Sequence, residues 1–275
     1  MRLAVFYEHI FEAAQQRNIS VKEVLRHAKA CGISCLECDL WRLSDRAAVK
    51  ELFDSCGMGV SSIYSHFDFI NDSAEGCAEK YSVLLDTAEY FGAEKVLCIP
   101  GFFDPERDRK AQLDRVAQRL SEMCDAASQR GITVTLEDFD DISSPCCRMA
   151  DLRYLMDRVP PLRCTFDTGN FRYCLESAQE ALTLLRDRVA HVHCKDRSYD
   201  KANADPSDSN GKADLSGAVM YPAPVCGGVI GIAELVTQLI RSGYDGIFAI
   251  EHFGAADQWE YMRISAERLL ELREV

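Results

Sequence analysis

Residues 131–139, GITVTLEDF, decide the fold. A glycine that can close a helix precedes a short run rich in β-formers, and the run ends in two adjacent carboxylates, Glu137 and Asp138. Working outward, the same unit recurs. Upstream lie KVLCIP (95–100), GVSSIY (59–64), SCLECDL (34–40) and LAVFY (3–7); downstream lie CTFDT (164–168), AHVHCK (190–195) and GIFAIEH (246–252). Several of these runs are apolar on both faces, as parallel strands covered by helices must be. Segments of helical period separate them. Ser20 with Glu23 reads as a capping box, Asp45 and Asp72 as caps and Pro105 as a first-turn residue, while Gly32, Gly57, Gly92, Gly131 and Gly243 read as stops. Eight strand–helix pairs in about 250 residues predict an α/β fold, a single (β/α)8 TIM barrel spanning residues 1–275. An open doubly wound sheet is the runner-up, and the first turn lacks the GxGxxG it would need. Residues 196–231, between the seventh strand and its helix, form the one long irregular stretch and are expected to act as a lid or binding loop.

Composition narrows the function classes. The 275-residue chain is 47% hydrophobic and 27% charged, with 31 basic and 44 acidic residues and a formal net charge of −13. These values exclude disorder and coiled coil and argue against a nucleic-acid binder that tracks phosphates. An odd count of 13 cysteines, and an N-terminus with charges where a signal peptide needs an apolar run, predict a reducing, cytoplasmic setting. No apolar stretch approaches the roughly 18–20 residues of a membrane span, so no membrane partner is expected. Cys35 and Cys38 form a CxxC inside a predicted strand, where they face opposite sides; the cysteines are expected to be structural.

In such a barrel, chemistry sits at the C-terminal ends of the strands. There the fifth strand carries Glu137 and Asp138, the sixth Asp167, the seventh His191 and His193 on one face, and the eighth Glu251 and His252. Carboxylates and an imidazole at matching heights on four consecutive strands make an oxygen-rich set with one nitrogen, suited to Mn²⁺, Mg²⁺ or Co²⁺ and also to Zn²⁺. Parity alone does not choose between the two histidines.

The runs TLEDF, FDTGNF, HVHCKD and AIEHF, in this order and spacing, resemble the xylose isomerase-like TIM barrel superfamily of sugar-phosphate isomerases and epimerases, which also holds dehydratases and endonuclease IV. The resemblance covers essentially the whole chain. It implies one divalent metal ion, with Mn²⁺ foremost, held by Glu137, Asp167, His193 and Glu251, the second histidine matching the ligand of the family pattern. It further implies an isomerase or epimerase of a small sugar, sugar phosphate or related ketone. Glu137 and Glu251 are then the catalytic acid/base pair on either side of an enediolate-like intermediate. A metal-dependent lyase, such as an inosose-type dehydratase, is the alternative. A DNA repair nuclease fits poorly with six histidines and an acidic chain.

Tyr7, His66, Asn170, Lys195 and Arg197 are expected to bind substrate, the last two through a hydroxyl, a phosphate or a carboxylate. Asn170 stands where several family epimerases carry a histidine. Glu8, His9 and Trp41 occupy positions that can wall the pocket, His252 is expected to point away from it, and Gly227, Gly228 and Gly231 read as a turn. The resemblance also implies a homo-oligomer, a dimer or tetramer.

Overall fold

A computed structural model describes residues 1–206 and 211–274. Its barrel strands are β1 (Arg2–Phe6), β2 (Ile33–Asp39), β3 (Gly59–His66), β4 (Lys95–Ile99), β5 (Thr133–Glu137), β6 (Arg163–Asp167), β7 (Val189–Ser198) and β10 (Ile247–Glu251). All pair in parallel in chain order, and β10 pairs with both β7 and β1, which closes the sheet. The chain is a closed eight-stranded barrel, as the alternation of strands and helices predicts.

The helices are α1 (Tyr7–Arg17), α2 (Val21–Ala30), α3 (Arg46–Cys56), α4 (Ala74–Phe91), α5 (Arg109–Ser128), α6 (Met149–Arg158), α7 (Ala178–Leu185), α8 (Ile232–Arg241) and α9 (Gln258–Glu271). Several ends follow the expected chemistry. Ser20 and Glu23 form the reciprocal capping box of α2, and Asp45 caps α3. Gly57 and Gly92 close α3 and α4 in the left-handed region, where a side chain would be strained. Two caps shift by a few residues. Ser73 rather than Asp72 caps α4, because the Asp72 carboxylate is taken by Lys80 at 2.6 Å. Asp108 caps α5, leaving Pro105 in the preceding turn.

Strand alternation sorts side chains between two cores. Leu3 and Val5, Val134 and Leu136, Cys164 and Phe166, Val192 and Cys194, and Phe248 and Ile250 pack outward into one large apolar layer beneath the helices. Their alternating neighbours point into the barrel. There Ala4, Phe6, Tyr64, Leu97, Ile99, Ile247 and Ala249 form a smaller cluster, and Thr165 donates a hydrogen bond to Thr135 at 2.8 Å. Cys38 joins the outer layer while Cys35 borders the inner one, as expected for positions three apart in a strand.

The segment after the seventh strand is more ordered than its composition suggests. β7 runs on to Ser198, and β9 (Val219–Ala223) pairs antiparallel with that extension and with the short β8 (Lys212–Ala213). The expected irregular loop at 196–231 thus contains a β-ribbon, and its residues 207–210 lie outside the described residues. Composition misses it because antiparallel pairing with a strand 25 residues away leaves little local trace. Among the described residues no helix is long and apolar enough to cross a membrane.

Candidate metal centre and pocket

Alternation fixes which strand-end groups meet. With Leu136, Phe166, Cys194 and Ile250 turned outward, Glu137, Asp167, His193 and Glu251 all turn inward. Strand register sets Asp167 directly beside His193 across β6 and β7, with Glu251 beside Lys195 two residues further along β7 and Glu137 beside Thr165 on β6. The four residues each offer one donor atom within 4.8 Å of the others, and all are buried. His193 Nδ1 lies 3.3 Å from Glu251 Oε2, 3.5 Å from Glu137 Oε1 and 4.0 Å from Asp167 Oδ2.

Each donor residue is held by a further contact. Asp167 Oδ1 accepts from the backbone N–H groups of Gly169 and Asn170, both at 2.7 Å, so Oδ2 is the oxygen left for the site. Gly169 is required here because a Cβ would stand 2.5 Å from the Lys195 carbonyl oxygen. Glu251 Oε1 receives the Lys195 ammonium at 2.7 Å, and Glu137 Oε1 accepts from the Asn170 amide at 2.8 Å. His193 Nε2 lies 3.0 Å from Glu37 Oε2, and the tautomer that donates there presents the Nδ1 lone pair inward. The same Glu37 oxygen accepts from His191 Nε2 at 2.8 Å. Of the two histidines, His193 faces the carboxylates, whereas His191 reaches only Glu37 and so belongs to a second, smaller cluster of Glu37, His191 and His193.

Asp167 Oδ2, His193 Nδ1 and Glu251 Oε2 are buried without a hydrogen-bond donor or acceptor. Three orphaned lone-pair atoms converging on one point are costly unless a cation fills it, so the donor set fits a divalent metal. The electrostatics agree. Burial, reinforced by the charges of Glu251 and Glu137, pushes Asp167 well above the usual carboxylate range. Burial and the neighbouring Asp167 and Glu137 do the same to Asp138, whose Oδ1 accepts from the Asp167 N–H at 3.1 Å. Glu137 is also raised, mainly by burial. Burial alone would raise Glu251, but Lys195 and His193 outweigh it and hold this carboxylate well below its ordinary value. Burial likewise opposes ionisation of Glu37, and the two imidazoles overcome it.

Above the donors opens a cavity of about 370 Å³, within the range of small-molecule sites. Phe6, Tyr64, Phe139 and Phe253 supply its apolar walls, and Asp39, His66, Asp140, Asn170, Lys195 and Arg197 its polar ones. Of the residues expected at substrate, His66, Asn170, Lys195 and Arg197 line this cavity and Tyr7 does not. β1 ends at Phe6, and Tyr7 has the outward parity of Leu3 and Val5; its ring packs on Phe11 and Phe53 at 4.7 and 4.9 Å. Phe6 takes the place in the wall. Trp41 is 61% exposed and lies against Arg42 instead of the pocket. Glu8 is partly buried beside Arg42, at 3.4 Å. His9 and His252 stack at 4.7 Å behind the wall, so His252 does point away from the donors. The Gly227–Gly231 turn holds no free N–H cradle, because Gly228 and Ile230 donate to Asp196 at 3.0 and 3.1 Å.

Glu37 and Asp140 are the site residues that inspection of strand ends overlooks. Glu37 had a signal in the sequence, a lone carboxylate between apolar neighbours in CLECD, and Asp140 follows the two carboxylates of the fifth strand.

Residues 25–272 match the model of a family described as xylose isomerase-like TIM barrel. Inosose dehydratase 1 of Bacillus cereus is 24% identical over 199 residues, which cover 70% of this chain and 62% of that protein, less than two thirds of its length. Among solved structures, the probable 3-DHS dehydratase AsbF of Bacillus anthracis superposes with a TM-score of 0.77 at 17% identity, covering 98% of this chain and 99% of that one. D-allulose 3-epimerase from Methylomonas sp. gives 0.72 at 14% identity, with 99% and 98% covered. At these identities the structural matches speak for the fold alone.

Proposed function

The chain belongs to the xylose isomerase-like TIM barrel family, and on that premise we propose that it is a divalent-metal-dependent isomerase or epimerase of a small polyhydroxylated ketone. The observation that carries this reading is the convergence of Asp167 Oδ2, His193 Nδ1 and Glu251 Oε2, each buried and unpartnered, at the floor of the cavity. Three carboxylates and one imidazole suit Mn²⁺ first, with Mg²⁺, Co²⁺ or Zn²⁺ also accommodated. A bound divalent cation there supplies an electrophile for the negative charge that grows on a ketone oxygen as the adjacent carbon loses its proton.

The protein's own groups divide the proton transfers. Glu251, held ionised by the Lys195 ammonium at 2.7 Å, is the base. Glu137, which accepts from the neutral Asn170 amide at 2.8 Å and whose pKa burial raises despite His193 nearby, is the group that holds and returns a proton. Carboxylates in contrasting environments are the usual basis for such a division. Return to the opposite face of the same carbon epimerises it, and return to the neighbouring carbon interconverts aldose and ketose. Phe6, Phe139 and Phe253 give the pocket apolar walls around the reacting carbons.

A dehydratase is the second reading, favoured by the inosose dehydratase match and by the same acid/base contrast, since Glu137 could protonate a departing hydroxyl. One experiment separates the two. Ketoses and cyclic polyol ketones are incubated in deuterium oxide with the manganese-loaded protein. Deuterium in recovered substrate or an isomer supports the first reading, an enone product supports the second, and neither, across the panel, contradicts both. A cytoplasmic location and self-association complete the proposal as expectations.

A further inference from the structure

Within this reading of the site, we infer that the substrate carries a carboxylate, recognised by Arg197. The inference rests on the assignment of the cavity as a substrate pocket and adds the charge class of its occupant. Arg197 is only 7% exposed and lines the cavity. Its Nε is buried without a hydrogen-bond acceptor. Among the described residues, the carboxylates nearby are spent on other cations. Glu251 holds Lys195 at 2.7 Å, and Asp140 holds Lys212 at 2.7 Å with Lys195 at 3.6 Å. The guanidinium instead stands 5.6 Å from the centroid of the Tyr173 ring, a contact that leaves its edge donors unused. A buried guanidinium with open donors is costly in a folded protein unless an anion arrives to meet it.

The placement is rigid and directional. His193, Lys195 and Arg197 alternate along β7, so Arg197 sits above the metal donors by four residues, roughly 13 Å of extended strand. Its backbone is clamped on both sides. The Arg197 N–H donates to Asp196 at 2.8 Å, and its carbonyl accepts from Val229 at 2.7 Å. Gly228 permits that clamp, since a Cβ there would stand 2.1 Å from the Arg197 carbonyl oxygen. An arm fixed in this way presents a fork to one end of a ligand whose other end reaches the floor. With one cation left over on this wall among the described residues, and Asp140 and Glu251 close by, a monoanion fits better than a phosphate dianion.

Calorimetry on the full-length manganese-loaded protein tests this with three probes that differ only at C1: D-gluconate, D-glucitol and D-glucitol 1-phosphate. Gluconate should bind roughly 10- to 100-fold tighter than glucitol. Arg197→Met should bring that ratio close to one, and Arg197→Lys should leave an intermediate value because it keeps the charge and loses the fork. Equal binding of gluconate and glucitol to the wild type overturns the inference while leaving the metal-dependent enzyme reading intact. So does preference for the phosphate, or a gluconate preference that survives in Arg197→Met. Should Arg197→Met fail to fold, the wild-type ranking and Arg197→Lys still decide. Failure of all three to bind overturns the inference, and deuterium exchange on the ketone panel then reports separately on the enzyme reading.

Discussion

Replacing Glu37 with Gln should weaken divalent metal binding about tenfold although Glu37 touches no metal. The side chain is completely buried, and its Oε2 accepts from both His193 and His191. This contact fixes the tautomer that turns Nδ1 of His193 toward Glu137, Asp167 and Glu251, and its charge makes the imidazole a stronger donor. Loss of an outer partner of this kind costs about 10- to 100-fold in affinity, or ~1.4–2.8 kcal/mol. Glutamine keeps an acceptor oxygen and loses the charge, which places it at the low end. Glu37→Ala removes both and leaves two buried histidines without an acceptor, so it should reach the high end and lower thermal stability as well. Competition of Mn²⁺ against a fluorescent chelator, at constant pH, reads the affinity directly. A Glu37→Gln protein that binds Mn²⁺ within twofold of wild type would refute the orienting role. A Glu37→Ala protein as stable as wild type would show that the two histidines do not depend on it.

Other consequences are independent of that one. Lys195→Met removes the ammonium that holds Glu251 ionised, so kcat/KM should fall roughly 100-fold or more. Because the base must be unprotonated and its affinity for protons rises, the acidic limb of the pH–rate profile should move to higher pH; an unmoved limb counts against Glu251 as base. Gly169→Ala drives a methyl into the Lys195 carbonyl oxygen, 2.5 Å away, and should cost ~1–3 kcal/mol in chemical denaturation. His27, stacked on Trp259 at 3.5 Å, is pushed below its ordinary value of 6.5, chiefly by burial. The unfolded chain therefore takes up its proton first, and stability is lost as pH falls below 6.5. His27→Gln should flatten that part of a stability–pH curve, and an unchanged slope would assign it elsewhere.

The barrel was legible because its signals are local: strands apolar on both faces, helices with caps and glycine stops, and polar groups confined to strand ends. The inward parity of Glu137, Asp167, Glu251 and both histidines of β7 follows from the same two-residue period, whereas the choice of His193 over His191 rests on the family resemblance. What escaped depends on geometry with no short-range trace. Tyr7 shares the outward parity of Leu3 and Val5, so it is Phe6 whose ring faces the pocket, a one-residue matter. Pairing of β9 with the extension of β7 turns a Ser-, Asp- and Gly-rich stretch into a ribbon through a non-local ladder. Glu37 lies on a strand that contributes no metal donor, and its partnership with His193 spans 156 residues. Arg197 was identifiable as a cation near the seventh strand's donor, but that its neighbours are already paired is visible only in three dimensions.

Anomalous scattering from a crystal of the manganese-loaded protein tests the central claim most directly. One strong peak within bonding distance of Glu137, Asp167, His193 and Glu251 together is the expected result. A peak held instead by Glu37 and His191, or no peak at a manganese concentration that saturates the protein in solution, would contradict it.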